Sequence, residues 1–324
     1  MTDRRSLILA GLTLAAGLPC ARAQAWPSRP IRFISATAAG GAIDATARAY
    51  GEFITQRTGQ PVLIEARPGG QSMIAAHAVA TAAPDGHTFL FAVNSALTQA
   101  PVLLKNAAVP DPDKAFSFVA GFSPGPALLL VKKDLPVSNL RDFVALARKQ
   151  RLFIGSIGVG SRAHLIGMQM NKLLGTQLEV VPFKGAAPAL QDLASGQIDC
   201  TIGSVAGSMA LIQSGRIRAI AVTSGARTPK MPDLPTFGDE GFTQPVFRLR
   251  DWLVMAAPAA TPAPILARMA DLLREATDQP AVVRARDASA VTERPLLLDE
   301  FAKALAEERP VWQNATRDLG VTLD

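Results

Sequence analysis

The stretch from Ile31 to Arg48 constrains this chain most, because an apolar strand runs through the pair Gly40-Gly41 directly into a helix. Ile43, Ala47, Tyr50 and Ile54 recur in that helix at the spacing of one buried face. A strand that ends at a helix N-terminus brings unpaired backbone N–H groups and the positive end of the helix dipole to one point. An anion settles there. A second stretch of the same design, Leu152 to His164, carries Gly155, Gly158 and Gly160 ahead of Ser161-Arg162-Ala163-His164. A fold that sets the two loops face to face makes a binding site.

Strands and helices alternate along most of the chain, which predicts α/β architecture with parallel sheets. The first strand leads from Ile31 to the glycine pair, and further strands are expected at 62–65 and 88–93, with a short alanine-rich helix capped by Ser72. The proline-rich stretch 105–126 reads as irregular, and Ala127–Val131 as a crossing into a second lobe. There Ser138 is expected to cap a helix, and the alternation continues through 217–223. A second proline-rich loop leads to the apolar run 251–257, read as the return crossing, and the remainder is helical, with Pro310 a kink. Two crossings make a hinge and a cleft. The division is therefore 1–25 export signal, 26–126 first lobe, 127–250 second lobe and 251–324 a return to the first lobe.

The signal reading rests on Arg4-Arg5 followed by the apolar run Ser6–Leu18, with small-residue cleavage sites at Ala21–Ala23 and Ala23–Ala25. That run is too short for a permanent anchor across about 30 Å of bilayer, and the arginine pair fits either the general or the twin-arginine route. Cys20 falls within the signal, which leaves Cys200 alone, a buried small residue with no disulfide partner. The formal charge of +6 over 324 residues is scattered, aromatics are 6%, and no basic stripe with interleaved aromatics occurs. A nucleic-acid partner is excluded on that ground. An anionic small ligand is compatible with it.

In order and number, a set of short motifs resembles the Bordetella uptake gene (Bug) receptors, the periplasmic solute-binding components of tripartite tricarboxylate transporters. They are Trp26-Pro-Ser-Arg-Pro-Ile-Arg32, Gly40-Gly-Ala-Ile-Asp44, Arg67-Pro-Gly69, Ala83-Pro-Asp-Gly-His-Thr88, Gly158-Val-Gly-Ser-Arg-Ala-His164, Val181-Pro-Phe-Lys-Gly185 and Ala257–Pro264. The resemblance implies a two-lobed, type II-like periplasmic binding protein with two strands crossing between lobes, closing on a small carboxylate that a membrane permease takes up. It implies capture by backbone N–H groups and water more than by charged side chains. Position by position it places Ala39, Gly40, Gly41, Ala42 and Asp44 on the first loop and Gly158, Gly160, Ser161 and His164 on the second. Asn94 and Ser95, at the carboxyl end of the third strand, fall in the same cleft. The chain departs from the family pattern at 35–39, at 96–101 and at Gly203-Ser204, where the family has an Asp, so Ser204 joins the candidates and the ligand is left unnamed.

Several residues carry a plainer reading beside the functional one. Asp44 near the helix start also favours the dipole without touching ligand, and Arg162, Arg248 and Arg250 either point to solvent or clamp a second carboxylate. Ser161 and His164 suggest an exported serine hydrolase as the alternative, yet Ser is also the commonest helix cap and no Gly-x-Ser-x-Gly elbow is present. The effector domain of a transcription regulator shares the architecture but needs a DNA-binding unit where the signal stands. The loop at 155–160 has the wrong spacing for a dinucleotide fingerprint, and three scattered histidines make no metal site. The reading is a monomeric receptor without cofactor or metal and without enzymatic activity.

Overall fold

The computed structural model describes residues 26–37, 39, 42–104, 109–123 and 125–323. Among these residues, eleven strands form two sheets. The first half of the chain gives β1 (Ile31–Ser35), α1 (Ala42–Thr58), β2 (Val62–Ala66), α2 (Met73–Ala80), β3 (Thr88–Val93), the short turns α3 (Ser95–Thr98), α4 (Ala100–Leu103) and α5 (Pro112–Ala115), and β4 (Phe116–Phe122). Then follow β5 (Ala127–Lys132), α6 (Leu140–Lys149), β6 (Leu152–Ser156), α7 (Arg162–Leu174), β7 (Leu178–Pro182), α8 (Ala186–Ser195), β8 (Cys200–Ser204), α9 (Val205–Gln213) and β9 (Ile217–Val222). The chain closes with β10 (Leu253–Pro258), α10 (Ala263–Ala276), α11 (Pro280–Ala288), β11 (Leu296–Leu297) and α12 (Leu298–Arg317).

The first sheet has the order β11-β4-β10-β3-β1-β2 and the second β7-β6-β8-β5-β9. Neither is wholly parallel, which corrects the sequence expectation. In each, the strand that arrives from the other lobe runs against its neighbours: β10 is antiparallel to β3 and β4, and β5 to β8 and β9. Register gives the reason. The first residue of β10, Leu253, pairs with Val93 and Phe122 at the carboxyl ends of β3 and β4, and the first residue of β5, Ala127, pairs with Ser204 at the carboxyl end of β8. Both crossings therefore enter at the end where loops lead from parallel strands to helices, and an entering strand can only run back the other way. The crossings and the loops that lead into helices share one end of each sheet.

Both faces of each sheet are apolar because both are covered. On β1 and β3 the alternation sends Phe33, Phe89 and Phe91 to a core with Tyr50 of α1 and Met269 of α10, and Ile34 and Leu90 to a second core with Ala76 of α2 and Phe301 of α12. In the second sheet Leu129 and Ile154 face Phe143 and Met170, while Leu128 and Leu130 face Leu193 and Ile198. The last helix serves both lobes: Phe301 and Leu305 bury in the first, Trp312 and Ala315 in the second. It runs unbroken through Pro310.

Three local readings change. The stretch 116–122 is a strand, not irregular chain, its apolar residues flanked by the prolines that suggested a loop. Asn139 rather than Ser138 caps α6, accepting from the Asp142 N–H at 2.8 Å while Asp142 accepts from the Ser138 N–H. Ser72 makes no cap bond, since its φ of 70° turns it away from α2. At the first crossing, Gly125 has a φ of +91°, and a Cβ there would lie 2.5 Å from the Ser289 carbonyl oxygen. Only glycine passes so close to the backbone of the first lobe.

Candidate functional site

A cleft of about 560 Å³ opens where the carboxyl ends of the two sheets meet. Its second-lobe wall is the loop after β6. Ser156 Oγ donates to the Gly158 carbonyl at 2.9 Å and lies 2.8 Å from Ser161 Oγ, which caps α7 by accepting from the His164 N–H. Gly158 and Gly160 take φ of 144° and 76°, which bends the loop back over the strand end. The result is the N-terminus of a 13-residue helix opening onto the cleft through Gly160, Ser161 and Arg162. Ser204 caps α9 in the same way, accepting from the Gly207 N–H at 3.1 Å, and also lines the cleft.

The first-lobe wall is built from Ile43 at the start of α1, Asn94 and Ser95 after β3, Gln99 and Gln71. The N-terminal ends of α1, α7 and α9 thus reach one volume, and their dipoles favour a negative charge there. Asn94 is buried, its N–H held by the Trp252 carbonyl at 2.8 Å. Gln99 Nε2 donates across the cleft to the Gly160 carbonyl at 2.8 Å. A hydrogen bond therefore joins the lobes at the binding loop itself.

Of the thirteen candidates, Asn94, Ser95, Gly158, Gly160, Ser161, Arg162 and Ser204 line the cleft. Gly40 and Gly41 lie outside the described residues, as do the side-chain details of Ala42. Ala39 is exposed and does not line the cleft. Asp44 is 5% exposed and pairs with Arg48 at 2.8 Å, and it is not among the residues that line the cleft. His164 sits behind the loop, where its Nδ1 accepts from the Gly160 N–H at 3.4 Å.

Arg162 does not point to solvent: its side chain is 12% exposed. Its Nε donates to Asp251 Oδ2 at 2.6 Å and its Nη1 to the Thr223 carbonyl at 2.8 Å, so it ties the start of α7 to both ends of the segment that connects β9 to β10. Arg250 pairs with Glu308 and stacks over Trp252, and both Arg248 and Arg250 line an adjoining cavity that shares Gly125, Pro126, Arg162 and Asp251 with the cleft. The residues that sequence reasoning missed are Gln71, Gln99 and Asp251. Asp251 had one available signal, its place at the head of the return crossing; the two glutamines had none.

Burial holds the His164 imidazole below its ordinary pKa, and as a neutral ring it can accept from Gly160. With the folded value depressed, the stabilising contribution is complete above the unfolded pKa of about 6.5 and is lost as pH falls below it. Acidification from pH 7 to 5 is accordingly expected to lower the unfolding midpoint more in the parent than in His164→Gln, measured by urea denaturation at each pH. Ser161 Oγ lies 2.8 Å from Ser156 Oγ and accepts from the His164 backbone N–H, and among the described residues no hydrogen bond joins it to the His164 ring. The same residues hold no His/Cys/Asp/Glu group suited to a metal and no helix long and apolar enough to cross a membrane.

Two α/β lobes joined by two crossings, with helix N-termini converging on the cleft between them, define a solute-binding receptor. Residues 46–296 match the model of the tripartite tricarboxylate transporter family receptors (TctC), and the chain belongs to that family. It is 36% identical to a UPF0065 protein of Bordetella bronchiseptica over 280 residues, covering 86% of this chain and 82% of the relative. With BugT of Bordetella pertussis it shares 29% identity over the full length of both. Among solved structures, a periplasmic transporter matches with TM-score 0.76 at 31% identity over 93% of this chain and all of that one. A Rhodopseudomonas palustris protein with adipate matches at TM-score 0.74 and 28% identity, covering 92% of this chain and 99% of that one. MatC of the same organism, with bound malate, matches at 0.70 and 29%, covering 90% and 100%.

Proposed function

We propose that this chain is exported and that its cleft captures a small carboxylate for uptake by a tripartite transporter's membrane permease. The observation that carries the reading is the convergence of three helix N-termini, α1, α7 and α9, on one interlobe volume that holds no unpaired anionic side chain among the described residues. Backbone N–H groups at such termini bind carboxylates without a dedicated cation. The neighbours that hold adipate and malate share the fold at 28% and 29% identity, which favours an organic acid here also. Residues 1–25 supply the export signal in this reading, and the receptor acts as a monomer.

The test is calorimetric titration of the full mature chain with mono-, di- and tricarboxylates and acidic amino acids. Binding of one ligand per chain is the expected result. A panel that gives no heat at millimolar ligand would overturn the reading. Hydrolysis by Ser161 is not favoured, since its hydroxyl is committed to capping α7.

A further inference from the structure

Beside the cleft lies a second interlobe cavity of about 610 Å³, a volume typical of small-molecule sites. Sheet order shows where it stands. The crossing strand β10 sits between β3 and β4 in the first sheet, and β5 between β8 and β9 in the second. Asn94 after β3 and Ser204 at the end of β8 line the cleft, whereas Ser123 after β4 and Ser224 beyond β9 line the second cavity. The two spaces therefore flank the crossings, and the residues they share, Gly125, Pro126, Arg162 and Asp251, form the partition.

The charges on its walls are not all matched. Of the arginines there, Arg162, Arg227 and Arg250 are paired with Asp251, Asp239 and Glu308. Arg248 has no hydrogen bond or ion pair among the described residues, and neither has Glu293 or Glu307. Both lobes present these groups from braced backbone. Arg248 ends the turn Pro245–Arg248, whose Val246 and Phe247 are buried. Glu293 follows a turn in which the Val291 N–H donates to the Arg286 carbonyl at 2.9 Å and Arg286 Nη2 to the Thr292 carbonyl at 2.8 Å. At the head of that turn Ala290 keeps a φ of 57°, where a helix end favours glycine, and it packs in the second-lobe cluster of Leu128 and Val222. A strained residue of this kind persists where its surroundings over-determine it.

One unmatched guanidinium and two unmatched carboxylates complement a ligand with one carboxylate and two cationic groups. A basic amino acid carries that set. We propose that this cavity is a second binding site, separate from the cleft, for a basic amino acid whose carboxylate meets Arg248 and whose α-ammonium and side-chain cation meet Glu293 and Glu307.

Calorimetric titration of L-lysine into the full mature chain tests it, beside cadaverine, which lacks the carboxylate, and L-norleucine, which lacks the side-chain cation. Lysine is expected to bind one per chain and at least about tenfold more tightly than either analogue. Arg248→Ala is expected to bring lysine down to the level of cadaverine and to leave cadaverine unchanged. Glu293→Gln/Glu307→Gln is expected to weaken both by about tenfold or more. Gly160→Val, in the cleft loop, is expected to leave lysine affinity within about twofold of the parent. Lysine that gives no heat at millimolar concentration overturns the inference, as does norleucine that binds as tightly as lysine. Lysine binding that is lost in Gly160→Val and kept in the Arg248 and Glu293/Glu307 variants would assign it to the cleft, and overturns the inference as well. The carboxylate panel tests the cleft separately, so either reading can fail without the other.

Discussion

Replacing Gly160 by Val is expected to weaken ligand binding by about a hundredfold while both lobes stay folded. At φ +76° a β-branched residue is strongly disfavoured, and the added Cβ would stand 3.1 Å from Leu103 Cδ1 of the first lobe before its methyl groups are counted. The loop must therefore shift away from α4. That shift takes with it the Gly160 carbonyl that Gln99 holds and the N-terminus of α7 behind it. Gly175→Val separates this effect from general strain. Gly175 has a comparable φ of +67° at the other end of α7 with nothing within 4 Å of its Cβ position, so it is expected to lose stability and keep affinity. Calorimetry and thermal melting on the two variants decide between them; equal losses of affinity would count against a role for the loop.

Asp251→Ala is expected to destabilise the protein by about 2 kcal/mol, because it leaves the Arg162 guanidinium, 12% exposed, with only the Thr223 carbonyl and hydroxyl as partners. The partial exposure of Asp251 itself, 35%, keeps the figure below that of a fully buried pair. The double variant Arg162→Met/Asp251→Ala removes the stranded charge and is expected to recover more than half of the loss. Urea unfolding of the parent, the two single variants and the double variant gives the coupling. Additive losses would mean that the pair contributes nothing as a pair. Because Arg162 also joins α7 to the connection between β9 and β10, Asp251→Ala is further expected to weaken ligand binding.

The alternation of strands and helices, the second glycine loop and the two crossings were legible in the sequence because each is written in local residue patterns. Ser161 capping α7 follows from residue type alone. The direction of β5 and β10 was not legible, since it follows from which end of a sheet the chain enters, a property of the assembled lobes. The role of Arg162 was hidden for the same reason: its partner Asp251 stands 89 positions away. Gln99 sits in an ordinary helical turn and gains its meaning only from the Gly160 carbonyl across the cleft. Gln71 follows a glycine pair that reads as a turn, and nothing local shows that the turn lines the cleft. The glycine pair at 40–41, the strongest sequence feature, falls outside the described residues, so the second loop carries the structural case.

The central claim is that a single organic acid is held between the two lobes by the loop that starts α7. Native mass spectrometry of the gently purified mature chain, beside Gly160→Val prepared identically, tests it most directly. The account predicts one small organic acid per parent chain, released on unfolding and absent from the variant. An acid retained equally by both proteins would contradict it.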